Sequence, residues 1–142
     1  MINKESYKLD SFYPKVVDAV DAILSERGLV TPVEVFLRVG TLDKAKHDEW
    51  RFGRAPSLES VIQGGFGNCS KILKILCFHA FDLDLKPSEF EYKRWGKGKA
   101  HYLKFSKSKN RQVEAAYSVS FKWHKRMSYL EWKQDQADEL NP

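Results

Sequence analysis

The chain has 142 residues, 42% of them hydrophobic and 13% aromatic, which suits one domain with its own core and is too short for two independent ones. No apolar run approaches the roughly 20 residues needed to cross a bilayer, so the composition excludes a membrane-spanning protein and predicts a soluble one. The N-terminal sequence MINKESYKLDSFYPK has neither the apolar core of a signal peptide nor the Arg-rich pattern of a transit peptide. We therefore expect a cytoplasmic protein that does not bind membranes.

The net charge of +5 originates in one segment of the chain. From Lys93 to Arg111 there are eight basic residues and no acidic ones, whereas the rest of the chain has 16 basic and 19 acidic residues. Aromatic residues are interspersed in the same segment. A local concentration of positive charge indicates a site for an anionic partner, while dispersed charge indicates only solubility.

The first predicted element is an amphipathic helix from Pro14 to the glycine at position 28, because apolar residues recur there at helical spacing. The roughly ten residues before it are expected to be flexible. The most apolar element of the chain is a helix over residues 69–83, with Asn68 as its N-cap and a surface that is apolar nearly all round. Such a helix usually forms the buried centre of a fold, and His79 on it is expected to be a hydrogen-bonded core residue.

Between these elements, two short helices meet at a glycine. Thr31 and Glu34 fit a capping box at the start of the first, which ends at Gly40, and the second is predicted from Thr41 to about Phe52. Their lengths match a helix-turn-helix, whose second helix would read DNA. That helix offers a second set of candidate contacts, Lys44, Lys46, Arg51 and Arg54. Three acidic residues oppose this interpretation, Asp43, Asp48 and Glu49, and the aromatic residues Trp50 and Phe52 are expected in the core.

After Pro87 the apolar period changes to two, which predicts a β-hairpin over about residues 89–105 that packs on the central helix. In the predicted register Tyr92 faces Leu103, and Glu91 faces Lys104 as a cross-strand ion pair. The core face of this hairpin contains Phe90, Tyr92, Leu103 and Phe105.

The remaining segments predict a short helix over 111–121 and a terminal helix preceded by a second capping box, Ser128 and Glu131. The predicted fold class is therefore α+β, a mostly helical single domain over residues 1–142 with one β-hairpin. Cys69 and Cys77 lie eight residues apart on one helix, about 12 Å at its rise per residue, so both are expected to be reduced core thiols.

Four segments carry a resemblance: WRFGRAPSLESVI (50–62), YKRWGKGK (92–99), LKFSKSKN (103–110) and EAAYS (114–118). In these the chain resembles an uncharacterised family of bacterial proteins. The resemblance covers the middle and C-terminal parts of the chain and implies no activity, cofactor or site residue.

The basic hairpin is the leading candidate site. Lysine and arginine neutralise phosphates, aromatic rings stack on bases, and the tip sequence KRWGKGK has two glycines that allow a phosphate backbone to approach closely. The sequence therefore predicts a nucleic-acid-binding protein, DNA or RNA, with these contacts: Lys93, Arg94, Trp95, Lys97, Lys99, Tyr102, Lys104, Lys107, Lys109 and Arg111.

Other interpretations remain open. The same hairpin could bind an acidic protein partner, or its lysines could only protect an exposed strand from edge-to-edge pairing. A winged helix would use residues 69–83 for recognition, although that helix is too apolar for a groove. A metal-dependent nuclease would use Glu91 and Lys93 on one strand face with Asp82 or Asp84. No metal-ligand spacing, nucleophile motif or cofactor fingerprint occurs, so no catalytic residue, metal or cofactor is predicted.

Overall fold

The computed structural model describes residues 2–98 and 101–140. Six α-helices and three short β-strands lie within these residues, which confirms a mostly helical α+β fold. The helices are α1 Tyr13–Arg27, α2 Pro32–Val39, α3 Lys44–Arg51, α4 Gly65–Asp82, α5 Arg111–Tyr117 and α6 Tyr129–Leu140. The strands are β1 Leu29–Val30, β2 Lys86–Glu89 and β3 Val119–Lys122, and single 3-10 turns occur at Tyr7–Leu9 and Glu59–Val61.

The ends of α1 and α2 lie where the sequence predicts them. Gly28 adopts a left-handed conformation after α1 and donates its N–H to the Leu24 carbonyl. Thr31 caps α2 by accepting the Glu34 N–H at 3.4 Å. The Glu34 carboxylate accepts the Thr31 hydroxyl at 3.0 Å and pairs with Arg27 at 2.5 Å, so this carboxylate joins the start of α2 to the end of α1.

Two helix starts differ from the prediction. Helix α3 begins at Lys44 instead of Thr41, because Asp43 still has an extended backbone. Helix α4 begins at Gly65, so Asn68 lies inside its first turn and donates its side-chain N–H to the Gln63 carbonyl at 3.1 Å instead of capping the helix. Only one side of α4 is fully buried, and the Cys77 thiol is exposed, which corrects its assignment to the core.

The sheet is an interaction between distant segments that the sequence did not predict. Strand β3 lies between β1 and β2 and pairs antiparallel with both, with Leu29 opposite Lys122 and Glu89 opposite Val119. The helix predicted over 111–121 is therefore wrong beyond Tyr117. β-Branched and aromatic residues in the sequence VSFK favour an extended strand over a further helical turn.

The hairpin of residues 89–105 is shorter than predicted but has the predicted register. Its paired part is one antiparallel bridge between Lys93 and Tyr102, flanked by hydrogen bonds from Arg94 N to His101 O (2.9 Å) and from Leu103 N to Tyr92 O (2.8 Å). The residues before Phe90 pair with β3 instead. The predicted Glu91–Lys104 ion pair is not among the ion pairs that the described residues form.

Trp50 organises the core beneath this hairpin. It is fully buried, as predicted, and its ring lies 5.4 Å from the rings of both Tyr92 and Phe105. Phe105 in turn stacks on Tyr117 with an interplanar angle of 2°. These aromatic side chains belong to one core cluster that also includes the buried side of α4. Phe52, which the sequence assigned to the core, is 38% exposed.

The N-terminal turn is attached to the helical layer. The Tyr7 side chain is buried against Tyr13 and Phe78, and its hydroxyl donates to the Asp82 carboxylate. On α4, His79 Nε2 is buried without a hydrogen-bond partner among the described residues, whereas the sequence favoured a hydrogen-bonded core histidine. In the described part of the chain, no helix is both long and apolar enough to cross a bilayer.

Candidate nucleic-acid interface

The structure brings the tip of the hairpin onto helix α3, so that the two sets of candidate residues meet. The Trp95 backbone N–H donates to the Arg51 carbonyl at 2.6 Å, and Arg51 Nη2 donates to the Lys93 carbonyl at 3.1 Å. These two hydrogen bonds join the last turn of α3 to the hairpin. The sequence presented these sets as alternatives, but they lie on one side of the molecule.

Arg51 is at the centre of this junction. Its guanidinium carbon lies 4.8 Å from the centre of the Tyr92 ring and 4.5 Å from that of Trp95, so the cation contacts two aromatic rings. Burial lowers the pKa of Arg51, because removal from water disfavours its charged form. The guanidinium thus supports the position of the Trp95 ring.

The Trp95 ring is half enclosed and 36% exposed. It makes edge-on contacts with His47, at 5.7 Å between ring centres, and with Phe52, at 5.6 Å. Lys44 Nζ lies 5.8 Å from the ring centre, and Arg54 is positioned over Phe52 at 5.0 Å. Cations and exposed aromatic rings therefore alternate across one continuous surface.

Tyr102 and Lys93 extend this surface along the hairpin. Lys93 Nζ lies 5.6 Å from the centre of the Tyr102 ring, which is 54% exposed. Lys97 is exposed at the tip, and Lys99 lies outside the described residues. We call the following set the basic aromatic surface: Lys44, Arg51, Phe52, Arg54, Lys93, Trp95, Lys97 and Tyr102.

Arg94 stabilises the turn at the tip of the hairpin. Its Nη2 donates to the Lys97 carbonyl at 3.0 Å and its Nη1 to the Trp95 carbonyl at 3.4 Å, so the side chain folds over the turn. Its aliphatic part crosses Gly53, where a Cβ atom would lie only 2.7 Å from Arg94 Cδ. The glycine after α3 is thus required for this close approach as well as for its left-handed backbone (φ +75°).

Lys104, Lys107, Lys109 and Arg111 belong to a second basic segment, residues 104–111, which we call the lysine loop. Two carboxylates hold its backbone from the protein side. Glu114 accepts the Phe105 N–H at 3.0 Å and both the N–H and the hydroxyl of Ser106, at 2.6 and 2.7 Å. The loop's order therefore comes from main-chain hydrogen bonds, while its basic side chains remain exposed.

Glu59 is the second of these carboxylates and is only 3% exposed. One of its oxygens accepts the Lys107 N–H at 2.8 Å and the other accepts the Tyr117 hydroxyl at 2.6 Å. Sequence reasoning missed both glutamates. A signal was available, since Glu59 follows Leu58 directly and precedes Val61 and Ile62, and an acid in such an apolar stretch is usually buried with partners.

Carboxylates neutralise the cations of residues 44–54 to a greater degree than those of the hairpin and the lysine loop. On α3, Lys44 pairs with Asp48 at 2.6 Å and Arg54 with Glu49 at 3.1 Å. The Lys44 hydrogen bond holds the pKa of Asp48 below its usual value, and the His47 contact acts in the same direction. The ion pairs between described residues include none of the hairpin and lysine-loop cations Lys93, Lys97, Lys104, Lys107, Lys109 and Arg111.

Lys46 is not brought to the same place. It lines a separate cavity of about 250 Å³ together with Asp43, Ser60 and Gln63. Lys44 and Arg51 thus contact the hairpin and Arg54 contacts the neighbouring Phe52, whereas Lys46 does not share their contacts.

The acids considered for a nuclease have other partners. Asp82 accepts the Tyr7 hydroxyl, and Asp84 lies 3.8 Å from His124. Among residues 2–98 and 101–140, no three His, Cys, Asp or Glu side chains form a group that could hold a metal ion. Burial raises the pKa of the Cys69 thiol to about 11, which keeps it protonated near neutral pH.

The four segments that suggested a family resemblance include residues that are neighbours in space. Residues 50–54 contact the hairpin tip, and Glu59 and Glu114 both hold the lysine loop. Comparisons of the chain with protein families, with curated proteins and with solved structures found no match.

Proposed function

We propose that this protein binds nucleic acid through the basic aromatic surface, with the lysine loop as a second phosphate-contacting segment. The observation that carries the proposal is the union of the hairpin tip with α3 through Arg51 and Trp95. Partly exposed rings then share one surface with exposed cations, and two of these cations, Lys93 and Lys97, have no carboxylate partner among the described residues. Phosphates and bases are the ligand groups that match such an alternation.

Within this surface, the chemistry of each side chain determines its proposed role. Lys93 and Lys97 are exposed and suited to phosphate contact, while the Tyr102 ring is the most exposed aromatic of the set and can stack on a base. Arg94 and Arg51 hold the tip and position Trp95. A cytoplasmic location and the absence of catalysis are parts of the same proposal.

The test measures, by fluorescence anisotropy, how the binding of labelled single-stranded and duplex DNA and RNA depends on salt concentration. Lys93→Ala and Lys97→Ala should each weaken binding and make the slope of log K against log salt shallower, by about 0.9 per lost contact on duplex DNA or about 0.7 on single strands. The thermal midpoint should hardly change, because exposed lysines contribute little stability.

Lys74→Ala is the matched control, since Lys74 is an exposed lysine of α4 outside both basic segments. It removes the same charge and should leave the slope unchanged. Equal effects of all three substitutions on the salt slope would show that binding depends on the net charge of the protein and not on contacts at this surface. If no nucleic acid binds, and an acidic protein loses affinity for the Lys93 and Lys97 variants, the surface serves a protein partner instead.

A further inference from the structure

A cavity of about 310 Å³ adjoins the basic aromatic surface and was not predicted from the sequence. It lies between the end of α1, helices α2 and α3, and the start of the hairpin. Its lining combines apolar, aromatic and charged side chains, namely Arg27, Val33, Glu34, Leu37, His47, Arg51, Phe90, Glu91 and Tyr92. Arg51 is shared by the cavity and the surface, so a ligand in one would be next to a ligand in the other.

One nitrogen of the Arg51 guanidinium group has no hydrogen-bond acceptor among the described residues. Its Nη2 reaches the Lys93 carbonyl, but its Nε is buried and has no hydrogen-bond partner among the described residues. None of the ion pairs formed by those residues includes Arg51. Arg51 as a whole is half-buried, but buried polar atoms in proteins normally have a hydrogen-bond partner, so its unpaired Nε indicates an acceptor that a ligand would supply.

The remaining polar groups of the lining limit the kind of ligand. Glu34 is engaged by Arg27 and the Thr31 hydroxyl, whereas Glu91 is exposed and forms no ion pair with a described residue. The two arginines of the lining are balanced by its two glutamates, which disfavours a multiply charged anion. A neutral, flat ligand with both acceptors and donors suits this combination of Arg51, Glu91 and aromatic walls.

We propose that this cavity takes a single unstacked nucleobase, with guanine as the preferred base. Guanine presents O6 and N7 as acceptors for arginine, and its N1–H and N2–H groups are adjacent donors that match the two oxygens of a carboxylate such as Glu91. Phe90 and the apolar residues of α2 would enclose the ring. The proposal rests on the nucleic-acid-binding function when the base is part of a strand, and the same chemistry would accept free guanosine, which is neutral.

The experiment uses labelled oligothymidylates that differ only at one central position, which is guanine, adenine, cytosine or an abasic site. The wild-type protein should bind the guanine-containing strand tighter than the others by roughly fivefold or more, the effect of one good base contact. Glu91→Gln removes the carboxylate from an exposed position, and Leu37→Trp fills the cavity from a half-buried wall. Both should abolish the preference without changing the affinity for oligothymidylate or its salt slope.

Glu89→Gln is the control, because Glu89 is an exposed carboxylate of β2 that does not line the cavity. If Glu91→Gln and Leu37→Trp retain the wild-type guanine preference, or the wild type shows none, the base pocket is refuted while salt-dependent binding still supports the surface. If no strand binds but guanosine binds the wild type and not Leu37→Trp, the pocket stands as a nucleoside site and the surface proposal fails. Binding of neither refutes both.

Discussion

Glu59 lies buried beneath a run of lysines, with both carboxylate oxygens accepting hydrogen bonds. A neutral amide of the same shape can accept through one oxygen only, and its NH₂ group would face a donor. Glu59→Gln should therefore lower the free energy of unfolding by about 1–3 kcal/mol, the cost of leaving a buried polar group unsatisfied. Urea denaturation followed by tryptophan fluorescence measures this change.

Glu139→Gln provides the comparison, since Glu139 is an exposed glutamate of α6. It should have almost no effect on the urea midpoint. Equal midpoints for the two variants would mean that the Glu59 hydrogen bonds do not stabilise the folded loop.

Individual residues were predictable where burial follows from the residue type alone. Trp50 is core, as expected for a large aromatic in an amphipathic helix. Phe52 was assigned to the core for the same reason. However, it lies directly after the last residue of α3, and its ring contacts the Trp95 ring instead. That partner comes from a distant segment, so the position of Phe52 could not be read from its neighbours in sequence.

At the level of elements, the junction of α3 with the hairpin depends on a glycine that allows Arg94 to pass. Gly53→Ala puts a Cβ 2.7 Å from Arg94 Cδ and also strains a left-handed backbone. Gly28→Ala imposes nearly the same backbone strain (φ +74°) with no atom within 4 Å of the new Cβ. Both should lose about 1–2 kcal/mol of stability from the backbone conformation.

The two alanine variants should differ in a second measurement. Only Gly53→Ala displaces Arg94 and the tip carbonyls that it holds, so only this variant should also weaken nucleic-acid binding at constant salt. Indistinguishable affinities for Gly28→Ala and Gly53→Ala would show that the Arg94 contact does not shape the tip.

The end of α1 and both ends of α2 could be predicted because local chemistry determines them. Thr31 before a proline starts α2, and the glycines after α1 and α2 end those helices. The sheet could not be predicted because no local chemistry determines which strands pair. Strands β2 and β3 are four residues each and are separated by the hairpin and α5, so their pairing is a long-range choice without a local turn signal.

For the molecule as a whole, the buried His47 and the half-buried His79, whose Nε2 is buried, predict loss of stability in mild acid. Burial lowers the pKa of His47, with Lys44 and Arg51 adding to the effect and Asp48 opposing it. Burial also lowers the pKa of His79. In the unfolded chain histidine titrates near pH 6.5, so below that value the unfolded state takes up protons that the folded state does not.

The free energy of unfolding should therefore be highest above about pH 6.5 and decrease as the pH falls from there towards the folded pKa values, by at most about 1.4 kcal/mol per pH unit for each histidine. Urea titrations at several pH values measure this slope. His79→Gln should make it shallower, because it removes one of the two histidines whose pKa burial lowers. A slope unaffected by His79→Gln would contradict the assignment.

The candidate surface could be predicted in composition but not in geometry. The charge imbalance located the basic segment, and the helix-turn-helix pattern located the cations of α3. That Arg51 joins them depends on the packing of Trp50 under both elements, which is a property of the complete core. The same packing forms the cavity beside Arg51, which no run of sequence indicates.

The attachment of the lysine loop by Glu59 and Glu114 also bears on the thermodynamics of recognition. A flexible basic segment loses conformational entropy when it closes on a ligand, and this loss reduces its affinity. Here the backbone is already fixed by the folding of the domain, and only the lysine side chains remain to be ordered. Association should thus resemble the docking of a rigid, preorganised body, with a rate set by electrostatic steering and without a slow folding step.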